Sequence, residues 1–254
     1  MTSPWPARLW IVRHGQSAGN VARDAAHEAG LGEIDLDIRD VDVPLSDLGL
    51  QQSRALGEWF SRLPPEGRPT VVLTSTYLRA RQTASAIADA GGLAGREVNF
   101  CVDERLRERE FGILDRLTRR GVEQLHPDQA AALSALGKFY HRPPGGESWV
   151  DVILRLRAFV DTISLHHAGD RVVIVAHQVV VLCLRYILES FDEATILGID
   201  RAGDVANCSV TEYDFVPDDR GRVRPRLLTY NFVQPLDVAA TPVTTAPDVP
   251  VAAG

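Results

Sequence analysis

Short apolar runs alternate with amphipathic segments along most of the chain, and this pattern predicts strands that alternate with helices. Four runs have the length and composition of buried strands, namely residues 8–13, 70–74, 97–102 and 171–176. Apolar residues at helical spacing occur at about 46–63, 78–90, 147–166 and 178–189. Residues 206–215 and 226–233 alternate and predict late antiparallel strands. The fold class predicted is α/β, with three layers (α/β/α), a mostly parallel central sheet and a late antiparallel edge strand.

Three segments depart from this alternation. Residues 21–43 are rich in acids and predict a long surface excursion, of the kind that often covers a binding site. Residues 103–146 are rich in arginine and show only short helical patterns. We expect the acidic 21–43 excursion and the arginine-rich stretch 105–120 to attract each other through opposite charges and form a lid. Residues 235–254 consist mainly of Ala, Thr, Pro and Val, which predicts a disordered tail.

Charge and composition restrict the partners of the chain. Its 254 residues carry a net charge of −7, so we expect no nucleic acid and no anionic membrane among its partners. No leader-like segment or long apolar run is present, which predicts a cytoplasmic protein. Cys101, Cys183 and Cys208 are widely spaced, so neither a disulfide framework nor a zinc site is expected. A homodimer is compatible with the sequence.

Polar residues stand where three predicted parallel strands end. His14, Ser75 and His177 each follow such a strand, and ligands of open α/β sheets bind at the carboxyl ends of strands. Arg13 beside His14 offers a guanidinium suited to phosphate, and Arg79 near a helix start could add a second one. Each signal alone also fits a capped or buried histidine, or a solvated arginine. Together they predict an anion site.

The ordered set of motifs resembles the histidine phosphatase superfamily, also called the phosphoglycerate mutase-like family. The matching pieces are residues 13–17 with Asn20, 45–49 with Gln52, 74–84, 106–108 with 111–112, 145–148 and 175–178. Three departures from the family pattern leave the predicted phosphate pocket intact. The loop between Asn20 and Pro44 is long and acidic. Thr76 stands where the family often has proline, and Ile113-Leu114-Asp115 replaces a common Trp-Glu-Gly ending. Because of these departures, the resemblance does not identify the substrate.

The resemblance implies a role for each matching residue in a catalytic domain that spans residues 1–234. His14 would be the nucleophile that becomes phosphohistidine, Glu108 the proton donor, and His177 a further catalytic residue. The phosphate-binding residues implied are Arg13, Asn20, Arg79 and Gln178. Glu104 and Glu110 remain alternatives to Glu108, since the stretch is generally charged.

The resemblance implies a small phosphoester substrate, no metal and no cofactor. We expect a phosphomonoester hydrolase first. A phosphoglycerate-type phosphomutase is the second candidate, although the stretch between Glu108 and Gly145 is shorter than in the classical mutases. The third is a non-catalytic phospholigand-binding module, which the complete set of polar residues disfavours.

Overall fold

One six-stranded sheet organises the computed structural model, which describes residues 4–95 and 99–245. The strands are β1 (Arg8–Arg13), β2 (Val71–Thr74), β3 (Asn99–Val102), β4 (Arg171–Ala176), β5 (Val210–Pro217) and β6 (Val223–Phe232). Their order is β3-β2-β4-β1-β5-β6, in which β3, β2, β4 and β1 pair in parallel. Strands β5 and β6 add to β1 in antiparallel fashion. The predicted fold class is therefore confirmed, with two antiparallel strands at one side.

Helices cover both faces of the sheet. The α-helices are α1 (Ala18–Glu28), α2 (Asp47–Ser61), α3 (Leu78–Asp89), α4 (Arg119–Leu125), α5 (Pro127–Tyr140), α6 (Trp149–His166), α7 (Gln178–Leu188), α8 (Glu193–Ala202) and α9 (Gln234–Val238). Ser46 caps α2, as its sequence predicts, and Ser148 forms a capping box at the start of α6. None of the helices in the described ranges is long and apolar enough to cross a membrane.

Alternation along the strands divides the core into two layers. Leu9 and Ile11 of β1 face the cluster formed with α6 and α7. Trp10 and Val12 face the opposite cluster, which includes residues of α2 and α3. Because both faces of β1 are buried, the strand reads as a continuous apolar run rather than an alternating one.

The C-terminal segment differs from the disordered tail that its composition predicts. Residues 234–238 form α9, whose Leu236 is fully buried against the α2–α3 side of the core. Further along, Pro242 and Thr244 accept hydrogen bonds from Gln52. Burial of an apolar side chain and specific polar contacts therefore order this segment up to residue 245. The remainder of the predicted tail lies outside the described residues, as do residues 97 and 98 of the predicted third strand.

The acidic excursion and the arginine-rich stretch do lie against each other. Backbone hydrogen bonds join them: Ile34 N donates to Arg116 O at 2.8 Å, and Thr118 N donates to Gly32 O at 2.9 Å. The Arg116 and Arg120 guanidinium groups donate to carbonyl oxygens of the excursion.

Helix α8 has no counterpart among the helices that the sequence predicts, although its N-cap, Asp192, is a recognisable signal for the start of a helix.

The backbone of Gly49 lies very close to the backbone of Gln16. A Cβ atom there would lie 1.9 Å from the carbonyl oxygen of Gln16, in the loop that follows His14. We expect Gly49→Ala to lower the free energy of unfolding by about 1–3 kcal/mol, because backbone must move to admit the methyl group. Chemical denaturation measures this value.

Gly198→Ala is the matched control, since that helical glycine has room for a methyl group. It should leave stability unchanged or slightly raised, because alanine favours helix. Equal stability of the Gly49→Ala protein and the wild type would contradict the close contact.

Candidate active site

Strand order brings the predicted rim residues together. Strand β4 lies between β2 and β1, so His177 lies between Ser75 and His14 at the carboxyl ends of the strands. The ladder continues into these residues, since His14 N donates to Ala176 O at 2.9 Å and Ser75 N donates to Val175 O at 3.0 Å. The rings of His14 and His177 contact edge to face, with centroids 5.1 Å apart. The sheet therefore fixes these side chains on a rigid base.

The partners of His14 define its tautomer. Its Nδ1 lies 2.7 Å from the carbonyl oxygen of Gly15, which can only accept a hydrogen bond. Its Nε2 lies 3.2 Å from Nε of Arg79, which can only donate. The proton therefore resides on Nδ1 and the lone pair on Nε2 points toward the Arg79 guanidinium. A neutral imidazole in this orientation can act as a nucleophile.

Arg79 is held from the other side by an acid that sequence reasoning did not identify. Its Nη1 donates to the backbone oxygen of Asp40 at 2.7 Å and to Asp40 Oδ1 at 2.8 Å, and its Nη2 donates to Oδ2 at 3.2 Å. Burial alone would lower the pKa of Arg79, but the Asp40 carboxylate raises it. Asp40 belongs to a three-residue 3-10 helix in the acidic excursion, where the sequence carries no signal that singles it out.

Arg13 is completely buried beneath the nucleophile. Its Nη1 donates to the backbone oxygen of Val205 and, at 2.8 Å, to Oε1 of Gln178. The amide nitrogen of Gln178 in turn donates to Asp204 at 2.9 Å. The structure therefore places the Gln178 amide between Arg13 and Asp204.

Glu108 and His177 form a second pair. His177 Nε2 lies 2.8 Å from the hydroxyl of Ser75, and its Nδ1 lies 3.5 Å from Oε2 of Glu108. Glu108 is buried, with 4% of its surface exposed, and it lines the same cavity as His14. The alternative acids lie elsewhere: Glu104 is exposed, and Glu110 accepts a hydrogen bond from the Tyr77 hydroxyl in a neighbouring cavity.

The segment that carries Glu108 is fixed to the start of α6. Glu147 accepts hydrogen bonds from Arg107, from Arg155 and from the backbone nitrogen of Glu110. Arg155 also donates to the backbone oxygen of Glu108 at 3.2 Å. Glu147 is therefore the centre of a network that holds the 105–110 segment, a role that its position at a helix start does not reveal.

A cavity of about 70 Å³ opens above His14. Asn20 contributes to its wall, and because the Asn20 oxygen accepts from Ser17 in the cap of α1, its amide nitrogen is the group suited to an anion. Arg23, one helical turn from Asn20, also lines the cavity, and that spacing is the signal that could have identified it. Asp40, Asp115 and Arg116 line both this inner cavity and an outer one of about 300 Å³, so they form the boundary between the two.

Burial and positive charge act together on the two histidines. Burial lowers the pKa of His14 well below its ordinary value, and the charges of Arg79, Arg13 and Arg23 lower it further. The pKa of His177 is lowered by burial and then by Arg79. Both rings are therefore neutral at neutral pH.

The C-terminal segment supports the nucleophile loop through two amide side chains. Gln52 accepts from Gln16 N at 2.9 Å and donates to Pro242 O at 2.9 Å. Asn207 donates to His14 O at 2.9 Å, and its own oxygen accepts from the Thr244 hydroxyl at 2.9 Å. Residues 242–244 are thus connected to the backbone beside His14 by single side chains.

This geometry agrees with what the chain resembles. Residues 9–226 match the model of the histidine phosphatase superfamily (branch 1), and the chain belongs to that superfamily. A probable phosphoglycerate mutase, GpmB, of Yersinia enterocolitica is 28% identical over 214 residues, which cover 82% of this chain and 85% of that relative.

Solved structures of similar proteins include phosphatases. A mycobacterial glucosyl-3-phosphoglycerate phosphatase is 27% identical with a TM-score of 0.65, and the match covers 89% of this chain and 100% of that one. The alpha-ribazole phosphatase of Shigella flexneri is 21% identical with a TM-score of 0.66, and the match covers 89% of this chain and 97% of the phosphatase chain. At that identity the similarity supports the fold alone. The chain is an enzyme of the phosphatase or mutase type.

The lowered pKa values of His14 and His177 predict a loss of stability in acid. The unfolded chain takes up protons on these rings below about pH 6.5, whereas the folded protein does not. The free energy of unfolding should therefore fall as the pH decreases from 7 to 5, by up to about 1.4 kcal/mol per pH unit for each ring. Urea denaturation across this range measures the slope.

His14→Asn and His177→Asn should each flatten that slope, because the substituted side chain does not titrate. The same substitution at His166, an exposed residue at the end of α6, is the control. Slopes unchanged in both buried-site variants would contradict the neutral state of the rings.

Proposed function

We propose that the protein is a phosphomonoester hydrolase that works without a metal ion, through a phosphohistidine formed on Nε2 of His14. One observation carries the proposal. The Nε2 lone pair of a neutral, buried imidazole points at a guanidinium, inside a cavity that Glu108 also lines. This arrangement joins a nucleophile, a positive pocket and an acid within one small volume.

In the first step, Nε2 of His14 attacks phosphorus, an N–P bond forms and the bond between phosphorus and the leaving oxygen breaks. Charge on the equatorial oxygens is stabilised by Arg79 and Arg13, with Asn20 and Arg23 as further donors from α1. The Gly15 carbonyl, 2.7 Å from Nδ1, keeps the ring in place as it becomes positively charged. Gln178 acts here as a positioning residue that orients Arg13.

Protonated Glu108 gives its proton to the leaving oxygen, which departs as an alcohol. The resulting carboxylate then takes a proton from water as the water oxygen attacks phosphorus, the N–P bond breaks and inorganic phosphate leaves. His177 lies 3.5 Å from Glu108 and 2.8 Å from Ser75, so it holds the acid in position beside the nucleophile.

A phosphoglycerate-type mutase is the second candidate, because the Yersinia relative bears that name and because Arg23 and Arg116 could bind a carboxylate in the inner cavity. The outer cavity favours the hydrolase. Asp37, Asp40, Glu110 and Asp115 line it beside only two arginines, Arg39 and Arg116. A leaving group that carries its own carboxylate or second phosphate would be repelled there.

Incubation with p-nitrophenyl phosphate should release phosphate at an undiminished rate in EDTA. His14→Ala should lower that rate at least about a thousandfold, because it removes the nitrogen that accepts the phosphoryl group, whereas His166→Ala should not change it. Activity that requires added metal would contradict the proposal. Exchange between 2- and 3-phosphoglycerate, stimulated by 2,3-bisphosphoglycerate, would establish the mutase instead.

Glu108→Gln should slow the reaction of alkyl phosphates much more than that of p-nitrophenyl phosphate. An alkyl phosphate needs protonation of its leaving oxygen, so we expect kcat to fall by about a hundredfold or more. p-Nitrophenolate leaves without a proton, so formation of phosphohistidine from p-nitrophenyl phosphate should change far less. Glu104→Gln is the matched control at an exposed acid on the same segment. Equal losses in the rate of phosphohistidine formation from the two substrates would contradict the role of Glu108 as proton donor.

A further inference from the structure

The two terminal nitrogens of Arg79, the groups that bind phosphate best, are occupied by an acid of the same chain. We propose that Asp40 occupies the phosphate position on Arg79 in the unliganded protein, and that the phosphoryl group of a substrate must displace it. Asp40 thereby becomes a specificity-determining residue that selects phosphoesters over free phosphate. This inference rests on the proposed function, in which Arg79 binds the phosphoryl group.

The geometry of the contact is that of a bound oxyanion. The carboxylate oxygens of Asp40 lie 2.8 Å and 3.2 Å from Nη1 and Nη2 of Arg79. Carboxylate and phosphate use the same fork of guanidinium hydrogens, so they compete for one position rather than bind side by side. The cavity of about 70 Å³ above His14 is lined by Asp40 itself.

Charge prevents Asp40 from staying in place when phosphate enters. Asp115, which shares both cavities with Asp40, has a pKa raised by burial and then by the charge of Asp40. A phosphate dianion would bring two further negative charges into the same space. With both anions on one guanidinium, repulsion would cancel much of the attraction to Arg79.

Asp40 can leave, whereas Arg79 cannot. The side chain of Arg79 is 6% exposed and that of Asp40 is 40% exposed. Arg79 is anchored in α3 and donates to His14, while Asp40 lies in a three-residue helix within a largely exposed part of the excursion. Rotation of the Asp40 side chain toward solvent removes the two carboxylate contacts from Nη1 and Nη2 without moving the nucleophile, while the bond from Nη1 to the Asp40 backbone oxygen remains.

The consequence is a difference between substrate and product. A phosphoester can offset the loss of the Asp40 contact with interactions of its leaving group in the outer cavity, which Asp40 also borders. Inorganic phosphate has no leaving group, so it competes with Asp40 unaided. The wild-type protein should therefore bind the product weakly and release it readily.

Calorimetric titration with inorganic phosphate tests this directly. We expect Asp40→Asn to lower the Kd for phosphate by about tenfold at pH 7.5, because the amide cannot oppose an anion by charge; Asp40→Ala should give at least the same gain. Asp42→Asn is the matched control, since it removes an equal charge from the same short helix at an exposed position. Arg79→Met should abolish the gain when combined with Asp40→Asn.

Weaker phosphate binding in both Asp40 variants would overturn the proposal and would make Asp40 an orienting partner of Arg79. An equal gain in the Asp42→Asn protein would also overturn it, as a general charge effect. The titration needs no turnover. Tighter binding in the Asp40 variants would therefore support displacement even if the hydrolase assignment failed, whereas phosphohistidine formation on His14 tests that assignment separately.

Discussion

The site depends on keeping one imidazole neutral among arginines. His14 is buried, donates from Nδ1 to a carbonyl fixed by the chain itself and faces Arg79 with Nε2. Burial and nearby positive charge both oppose protonation. The same guanidinium groups that keep the lone pair available also suit an incoming phosphoryl group, so one electrostatic arrangement prepares both the nucleophile and its target. The parallel strand ends are what make this arrangement stable, because they hold the residues by backbone bonds.

Such a concentration of positive charge needs balancing when no ligand is bound. Asp40 balances Arg79 from the excursion, and Glu147 balances Arg107 and Arg155 around the segment that carries Glu108. These two acids differ in setting. Glu147 is held by several donors at a helix start, whereas Asp40 reaches its partner from a largely exposed segment. The first suits a structural role, and the second suits exchange with a ligand.

The sequence predicted the elements and residues whose signals are local. Apolar runs located the strands, and strand ends located His14, Ser75 and His177 on one rim. Residues that reach the site through tertiary contacts carried no such signal. Asp40 lies in a segment of repeated acids. The amide of Gln178 lies between Arg13 and Asp204, and no local signal brings Asp204 to that position from the end of α8. The low-complexity composition after residue 234 also concealed a helix, because one buried leucine and a few hydrogen bonds suffice to order it.

That C-terminal segment bears on how the protein is handled. Residues 242–244 are connected through Gln52 to the backbone of Gln16 and through Asn207 to the backbone of His14. Their composition would invite removal before crystallisation, or fusion of a partner at residue 240. Either change would detach the two amide side chains from their outer contacts while leaving the sheet and both core layers whole. A shortened protein could thus be well folded by spectroscopic criteria and still have a nucleophile loop held on one side only.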